Sequence, residues 1–260
     1  MALGAEVARG TRVVELVAVA VHEDGTGKPA PTQRAEGEGL NPAGLRQYTG
    51  ATMKIILLGN AGSGKSTLAK RLTDGQAVER LSLDQLAFAD GLHQGGVLSC
   101  GKHFPGHGSS KADSHKGFTD VTNTWSDKEL EPFMQMIEAQ KVDMIMTAHI
   151  FNRNLDEKYP ATLSKEVNTR LLRNQMHYEG VIITDDLQMA AIHKHYTLED
   201  TVTLALNSGV DILLFANQLA EPLGLDAIVK VVKAQVRAGK ISEERIEEAY
   251  RRVKRLKERL

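Results

Sequence analysis

Short apolar runs recur along the later part of this chain, and each is followed by polar residues and then by a segment of helical periodicity. The strand-like runs fall at 97–103, 142–147, 181–184 and 210–215. The helix-like segments fall at 127–139, 164–176, 197–208, 225–238 and 242–260. Strands that alternate with helices in this way predict a parallel sheet built from βα units, and hence an α/β fold. Residues able to do chemistry collect where the strands end: Lys102 and His103, Thr147 to His149, Asp185 and Asp186, and Asn217. A βα barrel carries its active face at the carboxyl ends of its strands, so this placement predicts one shared site. In the last segment Ser242 is the expected N-cap, with Glu243 and Glu244 in the first turn. Ile246, Ala249, Val253 and Leu256 follow at helical spacing, so the charges between them form a solvated face.

Composition removes several classes of function. A net charge of -1 gives no basic field for nucleic acid and no polybasic patch for a membrane surface. The apolar run 13–21 is too short to span a bilayer and contains Glu15. The first residues lack the long apolar core of a secretory signal, so a cytoplasmic location is expected. The one cysteine, Cys100, excludes an internal disulfide and reads as a small core residue beside a strand. His193 and His195, two apart on an expected helix, do not share a face and predict no metal site.

Two segments stand out. The stretch 102–115, KHFPGHGSSKADSH, gathers histidines, lysines and an aspartate among turn-forming residues directly after a strand. On composition alone it reads equally well as a catalytic loop or as a solvated, histidine-rich one. Earlier, MKIILLGN reads as a buried parallel strand running into GNAGSGKST and then into a helical LAKRLTD. Residues 59–66 match the phosphate-binding P-loop pattern. Gly59, Gly62 and Gly64 would let backbone N–H groups turn toward phosphate oxygens. Lys65 would reach the terminal phosphates, and Ser66, with Thr67 beside it, would ligate Mg²⁺. ATP with Mg²⁺ is the corresponding ligand expectation. LSLDQLAF, 81–88, resembles the second strand of small adenylate-kinase-like proteins, with Asp84 toward the acceptor. The lid and arginines that such phosphotransferases need have no room before Gly96. Residues 1–52, rich in Gly, Pro and charge beyond 21, read as loop or linker.

KHFPGHGSS followed by DSH, with GVIITDDLQM at 180–189, resembles the signature of the family 3 glycoside hydrolases, in their β-N-acetylglucosaminidase branch. The resemblance covers about 88–260. It implies the C-terminal half of a (β/α)8 TIM-type barrel, preceded by a P-loop βαβ fragment at 53–87 and the poorly structured 1–52. It implies a retaining hydrolase acting on terminal N-acetylglucosamine, as in peptidoglycan fragments, with no cofactor for the hydrolysis. Asp185 would be the nucleophile, although Asp185 and Asp186 also fit as caps of the segment that follows. His115, oriented by Asp113, would be the general acid/base, where a retaining enzyme more often has a second carboxylate. Lys102 and His103 would hold sugar hydroxyls, and His107 would stabilise its loop. The strands that precede KHFPGHG in that family are not recognisable here. A half barrel exposes sheet edges, which the P-loop units or a second copy of the chain would cover. Nucleotide binding alone, or an inherited remnant with neither activity, are the rival expectations.

Overall fold

The computed structural model describes residues 81–110, 119–216 and 222–259, together with the strands β1 (Val17–Val19) and β2 (Ile55–Gly59). The rest of the expected linker at 1–52, and the phosphate loop and helix beyond Gly59, lie outside the described residues.

The remaining strands are β3 (Leu98–Phe104), β4 (Thr119–Asp120), β5 (Met144–Thr147), β6 (Ile150–Phe151), β7 (Val181–Ile183) and β8 (Leu213–Phe215). The principal sheet runs β2-β3-β5-β7, and every neighbour is parallel. A bridge between Ile183 and Ile212 carries β7 over to β8, which in turn pairs in parallel with β1. A small separate pair, β4 with β6, lies off this sheet. Parallel strands covered on both faces need apolar side chains at consecutive positions rather than alternate ones. All of Met144–Thr147 and all of Val181–Ile183 are accordingly buried.

The helices that cover the sheet bury one stripe each. They are α1 (Leu81–Gln94), α2 (Glu131–Glu138), a short α3 (Ala190–His193), α4 (Leu198–Asn207), α5 (Leu225–Arg237) and α6 (Glu243–Lys257). Helix α5 buries Ile228, Val229 and Val232, and α6 buries Ile246, Ala249, Val253 and Leu256. Each of the Ile, Val and Leu side chains among these contributes about 1.5–3 kcal/mol on leaving water. Caps set the starts: Thr197 Oγ1 accepts the Asp200 N–H at 3.1 Å, and Ser242 Oγ accepts that of Arg245 at 3.1 Å. The segment Glu166–Gln175 winds as a π-helix, wider than the α-helix its periodicity suggests.

The strand expected at 81–88 is instead the first half of α1. The strand expectation rests on the resemblance of LSLDQLAF alone, whereas Ala89 and Leu92 recur at helical spacing and are buried in the common core. That burial favours the helix. His195 lies beyond the four residues of α3, so the helix expected to carry both His193 and His195 ends before the second.

The amino ends of the strands are sewn together by buried acids. Asp211, fully buried, receives Arg173 and Arg245 at 2.6 Å each and Arg252 at 3.1 Å, and also the Ile182 N–H at 3.0 Å. Asp143 accepts from the Ser99 N–H at 2.6 Å and faces His93 Nε2 at 2.8 Å. These ties occupy the end of the sheet opposite the site, and leave the carboxyl ends for chemistry.

Candidate active site

Register decides which side chains meet. Lys102 pairs with Met146 and Met146 with Ile183, so β3, β5 and β7 end at nearly the same level. Near the end of β3 stands His103, and just past the ends of β5 and β7 stand His149 and Asp185, so three different βα units contribute.

Asp185 is held by its own turn. Its Oδ1 accepts the Asp186 N–H at 2.8 Å. Its Oδ2 faces His103 Nε2 at 3.5 Å. The preceding Thr184 anchors the strand end: its N–H donates to the Ile212 carbonyl at 3.0 Å, and its Oγ1 accepts the Leu214 N–H at 2.9 Å. Asp186, only 6% exposed, turns inward. Its Oδ1 accepts the Gln188 N–H at 3.0 Å and the Ala216 N–H at 3.1 Å. The two adjacent acids thus have different surroundings. Asp186 spends one carboxylate oxygen on backbone donors that join the ends of β7 and β8, while Asp185 keeps an oxygen toward His103.

Burial, above all, pulls His103 down to about 4, helped by the nearby Lys102, His107 and His149, while the Asp185 charge works in the opposite sense. The imidazole is therefore neutral at pH 7. The ring of His107 stands edge-on to that of His103, with centroids 6.1 Å apart. Lys102 lies close enough to act electrostatically on both His103 and Cys100.

The loop that follows His103 is braced from the segment leading into α2. The Trp125 indole N–H donates to the Pro105 carbonyl at 3.1 Å, and Glu129 Oε2 accepts the Gly108 N–H at 2.9 Å. Gly106 has a φ of +121°, and a Cβ there would stand 2.4 Å from Glu129 Cβ. No other residue type fits that crossing without displacing the loop.

Of the residues anticipated from sequence, Lys102, His103 and Asp185 come together at this one edge. His115 and Asp113 lie outside the described residues, as do Asn217 and the phosphate-loop residues Gly62, Gly64, Lys65, Ser66 and Thr67. Gly59 closes β2 and pairs with Lys102. Sequence reasoning missed Trp125 and Glu129 as braces. It also gave His149 too little weight: that side chain is only 1% exposed, hydrogen-bonded on both ring nitrogens, and lowered in pKa chiefly by burial. Among the described residues no group of acids, histidines and cysteines could hold a metal ion, and no helix is long and apolar enough to cross a membrane.

Comparison with known proteins narrows the chemistry. The profile of the Glycosyl hydrolase family 3 N terminal domain matches residues 73–256. A beta-hexosaminidase of Tolumonas auensis is 42% identical over 139 residues, which are 52% of this chain and 41% of that protein. Beta-hexosaminidase A of Pseudoalteromonas piscicida is 33% identical over 192 residues, 67% of this chain and 32% of that one. Among solved structures, a glycoside hydrolase family 3 β-N-acetylglucosaminidase from Paenibacillus sp. str. FPU-7 superposes with a TM-score of 0.60 at 36% identity, over 66% of this chain and 32% of that chain. The β-N-acetylglucosaminidase of Thermotoga maritima superposes with a TM-score of 0.58 at 28% identity, over 66% of this chain and 37% of its own. The chain spans less than half the length of each of these relatives.

Proposed function

The chain belongs to glycoside hydrolase family 3, and from that premise we propose that it releases terminal β-linked N-acetylglucosamine, as from peptidoglycan fragments, with net retention. The observation that carries this reading is the Asp185 carboxylate, fixed by the Asp186 N–H and turned toward neutral His103 at the carboxyl edge of a parallel sheet. In the proposed reaction an Asp185 oxygen attacks the anomeric carbon. The bond to the leaving oxygen breaks as His115, oriented by Asp113, gives that oxygen a proton. Water then attacks the glycosyl ester, His115 takes its proton, and the carboxylate is restored. Lys102 and His103 would bind the sugar hydroxyls. No cofactor enters these steps.

The strand order supports a partial βα barrel as the scaffold. Successive units add β2, β3, β5, β7 and β8 in order, and β1 returns to lie beside β8. A second copy of the chain covering the remaining edges, and a cytoplasmic location consistent with a lone buried cysteine, complete the proposal. The test is release of the chromophore from an aryl β-N-acetylglucosaminide, with a slow fluorinated substrate to trap the ester. A mass adduct on the peptide containing Asp185 is expected. Absence of both turnover and adduct from a folded sample defeats the reading.

A second reading concerns nucleotide. It is favoured by β2, a parallel strand that delivers Gly59, the first residue of the P-loop pattern, to the same sheet edge as Lys102. Calorimetry should show saturable ATP–Mg²⁺ binding that Lys65→Ala abolishes; a flat titration of the unaltered chain excludes it.

A further inference from the structure

We infer that His149 is a positioning residue, which fixes the turn bearing Asp185 through a one-way relay of hydrogen bonds from Thr147 through Thr162 to the Asp186 carbonyl. The inference rests on the nucleophile assignment above and deepens it.

The relay follows from counting protons. His149 Nε2 lies 2.8 Å from the Asp186 carbonyl oxygen, which can only accept, so Nε2 carries hydrogen. His149 Nδ1 lies 2.8 Å from Thr162 Oγ1. Thr162 has a single hydroxyl proton and two acceptors within reach, because the Ala148 carbonyl also stands 2.9 Å from Oγ1. That carbonyl already accepts the Thr162 N–H at 3.1 Å. If the hydroxyl donated to Ala148, Nδ1 would have to donate as well, and the imidazole would be a cation in a site only 1% exposed. Burial opposes that charge. The hydroxyl therefore donates to Nδ1, and Thr147 Oγ1 supplies the remaining bond to Thr162 Oγ1 at 2.9 Å. Each donor has one acceptor, and the sequence of bonds has one direction.

Its last acceptor is what gives the relay a role. Asp186 O belongs to the residue whose N–H orients Asp185 Oδ1. The backbone of residue 186 is thus held at both of its polar groups, the carbonyl by His149 and the N–H by Asp185. The turn beside the reacting carboxylate is held by a residue from the neighbouring βα unit. Thr162 is itself immobilised, since its carbonyl accepts from Asn168 Nδ2 at 3.2 Å.

Two substitutions separate positioning from bulk. In His149→Gln the side-chain amide nitrogen can occupy the place of Nε2 and keep the bond to Asp186. In His149→Asn the shorter amide reaches Thr162 alone. Both lose an aromatic ring from a packed site and Asn leaves the larger void, so a purely structural histidine would give two variants that differ in melting temperature but have equal kcat. The positioning role predicts that Gln retains kcat within a few-fold, while Asn loses about a hundredfold in kcat with KM little changed. Equal kcat in the two variants overturns it. The unaltered full chain, ¹⁵N-labelled at histidine, gives a readout that needs no variant to fold. A neutral His149 protonated at Nε2 is expected at pH 7; an Nδ1–H ring or a cation overturns the relay. An unaltered chain that shows this tautomer yet cleaves no aryl glycoside refutes the hydrolase reading and the positioning role together. Turnover with equal variants refutes the positioning role alone.

Discussion

Asp185 offers its two carboxylate oxygens to different partners: Oδ1 is bound to the Asp186 N–H at 2.8 Å, while Oδ2 looks across 3.5 Å at the Nε2 of His103. One oxygen sets the orientation and the other remains turned toward His103. Replacing Asp185 by Asn keeps the shape and removes the charge. Turnover of an aryl N-acetylglucosaminide should fall by roughly 10⁴-fold or more, with the melting temperature nearly unchanged. Steady-state kinetics alongside thermal denaturation check this, and retained activity would remove Asp185 from the role of nucleophile.

His103 links stability to pH. Its folded pKa, about 4, lies below the ordinary 6.5, so between those values the unfolded chain binds a proton that the folded chain refuses. Stability must therefore fall as pH drops from 6.5 toward 4 and be flat with respect to this group above 6.5. His149, lowered in the same direction, adds to the slope. Urea midpoints across this range should decline with acid, and His103→Gln should flatten the decline. A parallel slope in that variant would contradict the burial of a neutral imidazole.

Asp211 is buried among Arg173, Arg245 and Arg252. Removing the acid strands the guanidinium groups with their mutual repulsion. Asp211→Ala should cost about 3–5 kcal/mol of unfolding free energy. Removing the half-exposed Glu166 beside Arg170 should cost no more than about 1 kcal/mol. Chemical denaturation of both variants tests the contrast directly.

Gly106 crosses Glu129 with no space for a side chain. Gly106→Ala should destabilise the chain by about 1–3 kcal/mol through backbone strain alone. Because the same loop follows His103 and carries His107, kcat/KM should fall further than the stability loss explains. Glu129→Ala, which frees the Gly108 N–H, should lower kcat/KM in the same direction.

The sheet was legible where burial and periodicity agree. Met144–Thr147 and Val181–Ile183 are largely apolar because both of their faces are covered, and His149 after the first and Asp185 after the second mark the strand ends. Legibility failed where a residue acts over distance. Nothing local in the sequence ties His149 to Thr162 and Asp186, which lie 13 and 37 residues away. Helix α1 misled because LSLDQLAF resembles a strand of adenylate-kinase-like proteins, and the packing that decides otherwise involves Ala89 and Leu92. The two-residue strands Thr119–Asp120 and Ile150–Phe151 are too short to carry any period. The π winding of Glu166–Gln175 leaves the apolar spacing of an ordinary helix almost intact.

Cys100 sits on β3 two positions before Lys102, wholly enclosed, with its thiol pushed up to about 12 by burial. As the sole sulfhydryl in the chain, it is sealed against alkylating reagents. A single cysteine introduced on the exposed rim, at Gly108 for instance, would therefore take a maleimide dye alone. The molecule comes ready for fluorescence work on its histidine-bearing loop, with no background site to engineer away.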